Sequence, residues 1–481
     1  MTIDILPEDV LLEIFDHYVA QAYEGGEYEE WQMLVHVCRK WRYAVFRSPL
    51  RLNLRILCIA RTPVKEKLAV WPALPIIVEQ KSRLTTYGED NIVAALGHND
   101  RVCRIDVDLS YPLQGRVLSA MQKTFLGLKD LSLYLDGVYD MAFRVPDSFL
   151  GGSAPDLRRL KLTCIPFPFP VIRKLLLSAP NLVILSLHDI PPSGYFLPEA
   201  MVICLSALTR LKILFIGFEF PGSHPSLEGR RPPPTHTVLP ALTGLEFVGF
   251  IDYLEDLVAR IDAPLLNRLY IRLSRWRPTT DDTPKLTQFL SRAPKLKACD
   301  KACVTLYDSY ANFAVLGRDN LGLDLQILFY PLPARSMTHL CNSSFPQALI
   351  PMLETLYILS ETASREYWQI LFTDYNFLDL FRPFTTVKNL YLTRGFVPPL
   401  ASALQELDGE RLTEVLPNLQ CIFVEDLPDQ ESEFVPEAMR QFIAARQLSY
   451  HPITISPWIP WIWQFNLSVY GIESTSYSGY I

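Results

Sequence analysis

The chain has 481 residues, 49% hydrophobic and 20% charged, with a formal net charge of -7; that is ample for a large core and gives no global attraction to nucleic acid. Its nine cysteines are odd in number, scattered and mostly set among apolar neighbours, the usage of buried thiols in a reducing compartment. The N-terminus carries Asp4, Glu8 and Asp9 without the basic flank or apolar run of a signal, and no apolar stretch approaches the ~20 residues of a membrane helix, so the expectation is a cytoplasmic or nuclear protein with no membrane partner.

The first fifty residues read as a helical hook. Pro7 suits the first helical position, and Glu8 and Asp9 follow where the helix dipole favours negative charge. Val10, Leu11, Ile14, Phe15 and Tyr18 recur at three- and four-residue steps on one face. Gly25-Gly26 reads as a flexible break. Leu34, Val37, Cys38, Trp41 and Val45 then repeat the spacing until Ser48-Pro49 marks a stop. So much apolar surface needs cover from the rest of the chain or from a partner.

The ordered set Leu6-Pro7-Glu8, Leu11, Ile14-Phe15, Leu34, Val37-Cys38-Arg39 and Trp41-Arg42 resembles the F-box, the module that docks a substrate receptor onto the Skp adaptor of cullin-RING ubiquitin ligases. The resemblance implies adaptor binding at Leu6, Pro7, Ile14, Leu34, Val37, Cys38 and Trp41. Residues 20 to 30 depart from it, being longer and more acidic than the usual link. Beyond the hook, Arg51-Leu52-Asn53-Leu54-Arg55-Ile56-Leu57-Cys58, Trp71-Pro72-Ala73-Leu74-Pro75, His98-Asn99-Asp100-Arg101-Val102-Cys103 and the run from Tyr253 to Pro264 look like the expanded F-box family of mushroom-forming (basidiomycete) fungi. That likeness extends to about residue 456 and implies a class without naming a target. The alternative is an ordinary amphipathic hairpin packed on its own body.

Residues 51–100 read as a linker and cap, and residues 101–456 as a repeat. Leu-x-x-Leu-x-Leu, with other apolar residues allowed, appears at Leu128-Leu131-Leu133, Leu157-Leu160-Leu162, Leu182-Leu185-Leu187, Leu211-Leu214-Ile216, Leu242-Leu245-Phe247 and Leu266-Leu269-Ile271. It returns at Leu353-Leu356-Ile358, Val387-Leu390-Leu392 and Leu419-Ile422-Val424, with an earlier variant at Val102-Ile105-Val107. Successive central residues in the clear runs lie 24 to 34 apart, in or just above the period of leucine-rich repeats. Helical signals before Ala179-Pro180, Ala263-Pro264 and Ala293-Pro294 alternate with these strands, each proline ending a helix. The fold class expected is therefore α/β: a short all-helical F-box followed by a leucine-rich-repeat solenoid, parallel strands on one face and helices on the other. The pattern blurs at 296–329, where an irregular unit is expected. Ile165, Ile190 and Glu219 stand where leucine-rich repeats commonly carry asparagine or cysteine, so the turns must differ from the commonest subtype.

Residues 219–238, with Arg230-Arg231-Pro232-Pro233-Pro234, read as a proline-rich surface loop, or a peptide ligand or basic signal. Residues 457–481 form an aromatic tail of uncertain order.

Chemistry finds no foothold. The eight histidines show no His-Glu-x-x-His pattern and no zinc spacing with cysteines, Gly151-Gly152-Ser153 lacks the lysine of a phosphate loop, and no Gly-x-Ser-x-Gly elbow occurs. Cys299 and Cys303 read as core or surface thiols. No catalytic, metal or cofactor residue is assigned and the chain is expected not to be an enzyme. Binding suits it better: strand positions alternating with the buried leucines face the other side of the sheet. There Tyr134, Phe215, Tyr270, Arg272, Tyr357, Tyr391 and Phe423 form a candidate stripe of anchors for a target protein, unless a loop covers them or they reflect strand propensity alone. The expected role is a substrate adaptor of an SCF-type ligase, partnered by the Skp adaptor, through it a cullin-RING ligase, and an unknown target. A scaffold that binds without degradation is the alternative.

Overall fold

The computed structural model describes residues 6–24, 28–61, 63–80, 87–109, 113–135, 145–219, 236–274, 284–306, 310–317, 322–328, 350–360, 378–407, 409–425 and 436–458. Gly25-Gly26, nearly all of the proline-rich loop and the tail beyond Trp458 lie outside them. The chain divides into two compact units, Met1–Ser274 with Pro284–Lys295, and Arg275–Thr283 with Leu296–Ile481.

The first unit opens with helices α1 (Glu8–Glu24), α2 (Trp31–Val37) and α3 (Arg39–Arg47). Pro7 sits just ahead of α1 and its carbonyl accepts from the Leu11 amide, while α3 stops at Arg47 before Ser48-Pro49. Strands and helices then alternate: β1 (Ile56–Ile59), α4 (Val64–Val70), β2 (Ile76–Gln80), α5 (Tyr87–Leu96), β3 (Val102–Leu109), α6 (Leu113–Ala120), β4 (Asp130–Leu135), β5 (Arg159–Thr163), α7 (Phe169–Leu177), β6 (Ile184–Ile190), α8 (Pro198–Leu205) and β7 (Ile213–Phe218). The unit continues with β8 (Thr237–Val238), β9 (Gly244–Gly249), α9 (Ile251–Val258), β10 (Ile261–Asp262), β11 (Arg268–Ser274) and α10 (Pro284–Ser291). The sheet runs β1-β2-β3-β4-β5-β6-β7-β9-β11, every pair parallel, and the short β8 and β10 pair separately. Residues 51–100, read from sequence as a linker and cap of the solenoid, supply the first two strands of the sheet, a pattern hidden because Ile56-Cys58 and Ile76-Val78 carry no leucine triplet.

The leucine pattern is the core. Leu131, Leu160, Leu185, Leu214, Leu245 and Leu269 stand at one register position on successive strands. No residue of the nine triplets is more than 5% exposed, because alternation turns one side of each strand toward the helices. The prolines also have a geometric role. In Ala154-Pro155-Asp156-Leu157 and Ala179-Pro180-Asn181-Leu182 the leucine amide closes a turn onto the alanine carbonyl, at 3.2 and 3.1 Å, with proline where a turn presets its φ. The next two amides then share one carbonyl of the preceding strand's approach: Arg158 and Arg159 donate to Lys129, and Val183 and Ile184 to Arg158. Left-handed residues stand at Cys164 (φ 59°), just past β5, and at Asp189 (φ 47°), within β6 where its register with β7 shifts, each one place before a position singled out in the sequence.

The second unit departs from a purely parallel order. Strands β12 (Lys301–Leu306), β13 (Tyr310–Leu316) and β14 (Gly322–Leu328) form an antiparallel meander, and β12 also pairs in parallel with β15 (Thr355–Ser360). Only residues 307–309 and 317–321 separate the three strands, too few for the dozen or so that a parallel crossover needs. From β15 the order is parallel again through β16 (Asn389–Leu392), β17 (Cys421–Glu425) and β18 (Thr454–Trp458), with helices at Val397–Leu404 and Glu437–Leu448 between them. Pro457 and Trp458, assigned from sequence to the tail, belong to this last strand.

Candidate docking surfaces

The hook has two faces. Leu11, Phe15, Val19, Trp31, Val35 and Val45 are buried, and Trp31 Nε1 donates to the Arg55 carbonyl at 2.8 Å just ahead of β1. Tyr23 Oη donates to the Asn53 carbonyl, Arg104 of β3 donates to Tyr28 Oη, and Lys67 of α4 pairs with Glu29. These contacts lock the hook to the start of the sheet. On the other side Ile14 and Val37 remain 48% and 57% exposed, and Val10, Met33, Tyr43 and Phe46 are exposed with them. The pairs Val10–Ile14 and Met33–Val37 share the four-residue step that aligns side chains on a helix.

The seven predicted adaptor residues divide accordingly. Pro7, Ile14 and Val37 are exposed; Leu6, Cys38 and Trp41 are half-buried. Cys38 caps α3, its Sγ accepting from the Trp41 amide, and the Trp41 ring packs edge-on against Phe15 with centroids 4.7 Å apart. Trp41 Nε1 has no hydrogen-bond partner among the described residues. Lys40 Nζ holds the Leu6 carbonyl at 2.8 Å. Leu34 differs from the exposed members of the set: at 6% exposed it packs mainly into the hook's own core. Val10 likewise parts from Leu11 and Phe15, because the helix face splits between core and solvent.

On the sheet's opposite side in the first unit, Tyr134, Tyr270 and Arg272 are half-buried. Phe215, 8% exposed, is not a free anchor: His188 stacks on it with centroids 3.7 Å apart, and its ring lies over Gly217, where a Cβ would fall 2.7 Å from it. Burial, with Lys161 adding to it, pushes the His188 imidazole down to about 3, so it stays neutral, and its Nε2 has no partner among the described residues. On β9 Glu246 is pushed up to about 7 by burial, which outweighs the opposing pull of Arg268. The Asp189 carboxyl is also raised by burial, with Arg272 opposing.

In the second unit Tyr357, Tyr391 and Phe423 occupy one register position and stack, with centroids 4.4 and 4.3 Å apart. Trp458 stands edge-on to Tyr391 and donates through Nε1 to the Leu392 carbonyl at 3.1 Å. Tyr357 is 1% exposed and packs with Cys303, Ala314 and Trp458. It is therefore a small second core rather than an open anchor, and Trp458, which sequence placed in the tail, helps to close it; only Tyr391 and Phe423 keep partial access.

Among the described residues no group of three or more His, Cys, Asp or Glu is placed to hold a metal ion, and no helix is long and apolar enough to cross a membrane. Cys58, Cys204 and Cys299 are buried and their thiols pushed up to about 11 by that burial, which leaves them unreactive as nucleophiles. No protein-family model matches the chain, and no curated protein matches it.

Proposed function

We propose that the chain is a substrate-recognition adaptor of an SCF-type cullin-RING ubiquitin ligase, its hook an F-box that docks the Skp adaptor and its sheet units an irregular leucine-rich-repeat solenoid that holds a target protein. The observation that carries this reading is the two-faced hook: one side is bonded to the body, and the other keeps Val10, Ile14, Met33 and Val37 in solvent. Burying such side chains against a partner is favourable by roughly 25 cal/mol per Å², and clustered exposed apolar groups mark interaction sites. The ordered motif from Leu6 to Arg42 gives the partner its identity. Catalysis in this reading is proximity supplied to a ubiquitin-conjugating enzyme.

The test is co-purification with the Skp adaptor. Native chain should retain it, and Ile14→Glu with Val37→Glu, both at exposed sites that the fold does not need, should lose it at least tenfold; undiminished binding by that variant would sink the docking assignment. If targets captured by the native chain keep their abundance when the cullin is inactivated, the chain is a scaffold that binds without degradation.

A further inference from the structure

In the first unit, the sheet face opposite the leucine core holds one row that the adaptor reading leaves unassigned. Arg159, Ile184, Ile213, Gly244 and Arg268 share a single register position on β5, β6, β7, β9 and β11. The arginines at its two ends are exposed, and the isoleucines between them are half-buried, keeping part of their apolar surface in solvent. Gly244 leaves the strand bare between Ile213 and Arg268: a Cβ there would meet nothing nearer than Ile213 Cγ1, at 3.8 Å. One place before the row, Lys129, Arg158 and Lys212 stand at the starts of β4, β5 and β7, all exposed and without an ion pair among the described residues.

Two acids oppose these cations. Asp130 lies 3.5 Å from Arg159 Nε, in a pair whose arginine is 67% exposed, so the contact is weak and open to exchange. Glu246, two residues along β9 from Gly244, feels Arg268 through space without an ion pair between them. Five cations thus edge an aliphatic row in a chain whose formal net charge is -7, and the local charge has the opposite sign to that of the whole molecule. Such a patch steers and orients an acidic partner.

We propose that this row docks an extended acidic segment of the target protein, with a large aliphatic side chain seated on Ile213 and the bare strand at Gly244 and carboxylates paired with Arg159 and Arg268. This rests on the reading above that the sheet face takes a target. From β5 to β11 the row crosses four strand spacings, about 19 Å at ~4.8 Å each, which about six extended residues span. Gly244 lies next to Arg268 in the row, so the aliphatic residue belongs nearer one acid than the other. Arginine suits the carboxylates because its planar fork pairs with them bidentately, and covering the isoleucines removes apolar surface from water. A peptide fits better than a nucleic acid: the row offers no ring for a base to stack on, and the molecule's overall charge repels a polyanion.

The experiment selects phage-displayed random dodecapeptides on the full chain and measures the enriched peptides by fluorescence anisotropy. The expected result is a recurrent Leu, Ile or Met between two acidic residues about six apart. Changing either acid to its amide, or the aliphatic residue to alanine, should cost at least fivefold, and raising salt from about 50 to about 500 mM should weaken binding about tenfold. Arg159→Glu with Arg268→Glu, both at exposed sites, should lose at least tenfold, and so should Gly244→Val, which fills the bare strand. Thermal melts check that both variants fold, and the arginine variant decides alone if Gly244→Val does not. Peptides without acids, peptides bound within twofold by a folded variant, and failure to select any peptide each overturn the site. Tighter binding of a random single-stranded RNA 20-mer than of any peptide overturns it too. Peptides lost on Lys161→Glu but kept by the arginine variant remove this row and leave target binding by the face intact; Skp co-purification of the same variants reports on the hook separately.

Discussion

Arg446 lies fully buried in the helix Glu437–Leu448 and, among the described residues, has no carboxylate paired with it. Its guanidinium instead donates to the carbonyls of Leu412, Leu416 and Pro417 at 3.0 to 3.3 Å, holding a turn in which Leu416 has a left-handed φ of 49°. Burial lowers its pKa. Replacement by methionine keeps much of the volume and strands three carbonyls, so Arg446→Met should destabilise the chain by about 3 kcal/mol in urea unfolding; a loss below about 1 kcal/mol would mean that water takes over the carbonyls. Nothing in Gln441 to Leu448 distinguishes this arginine from Arg440, which is exposed. The same blindness affected Leu34, Phe215 and Tyr357. Alternation says which face a side chain takes, and only packing says whether something lies on top of it.

At the scale of elements, local signals were strongest where chain geometry is self-contained. The Ala-Pro-x-Leu turns, the stop at Ser48-Pro49 and the start at Pro7 follow from backbone restrictions that neighbours cannot change. The meander of β12 to β14 was legible in principle, since its short links exclude a crossover, but its mixed pattern concealed the change of direction. Caps supplied across elements were not legible at all. Glu255 of α9 turns away from its own helix and accepts from the Lys285 and Leu286 amides of α10 at 3.0 and 2.7 Å, placing negative charge at a helix N-terminus. Glu255→Ala should cost about 1 to 2 kcal/mol and raise hydrogen exchange at the Leu286 amide. Unaltered protection there would show that the contact contributes nothing.

For the molecule as a whole, the hook is bonded to the body along one side and, in the function proposed above, docks an adaptor with the other, and mutation should separate the two. Trp31, fully buried and bonded to Arg55, should cost about 3 to 5 kcal/mol when replaced by alanine. Ile14→Ala and Val37→Ala, at solvent-facing sites, should each change stability by less than about 0.5 kcal/mol while weakening adaptor capture. Equal destabilisation by all three would mean that the exposed face is covered by the chain itself. The sequence by itself determined the repeat, its buried leucines and the helical start, because periodicity and proline geometry act over a few residues. It also determined which residues look outward from each strand. Only the tertiary structure decided that the sheet begins at Ile56, that the hook is bonded to it along one face, and that Tyr357 and Phe215 are covered. Those outcomes depend on contacts between residues far apart in the chain, such as Trp31 with Arg55, Tyr28 with Arg104 and Tyr391 with Trp458, and such contacts leave no periodic trace in the sequence.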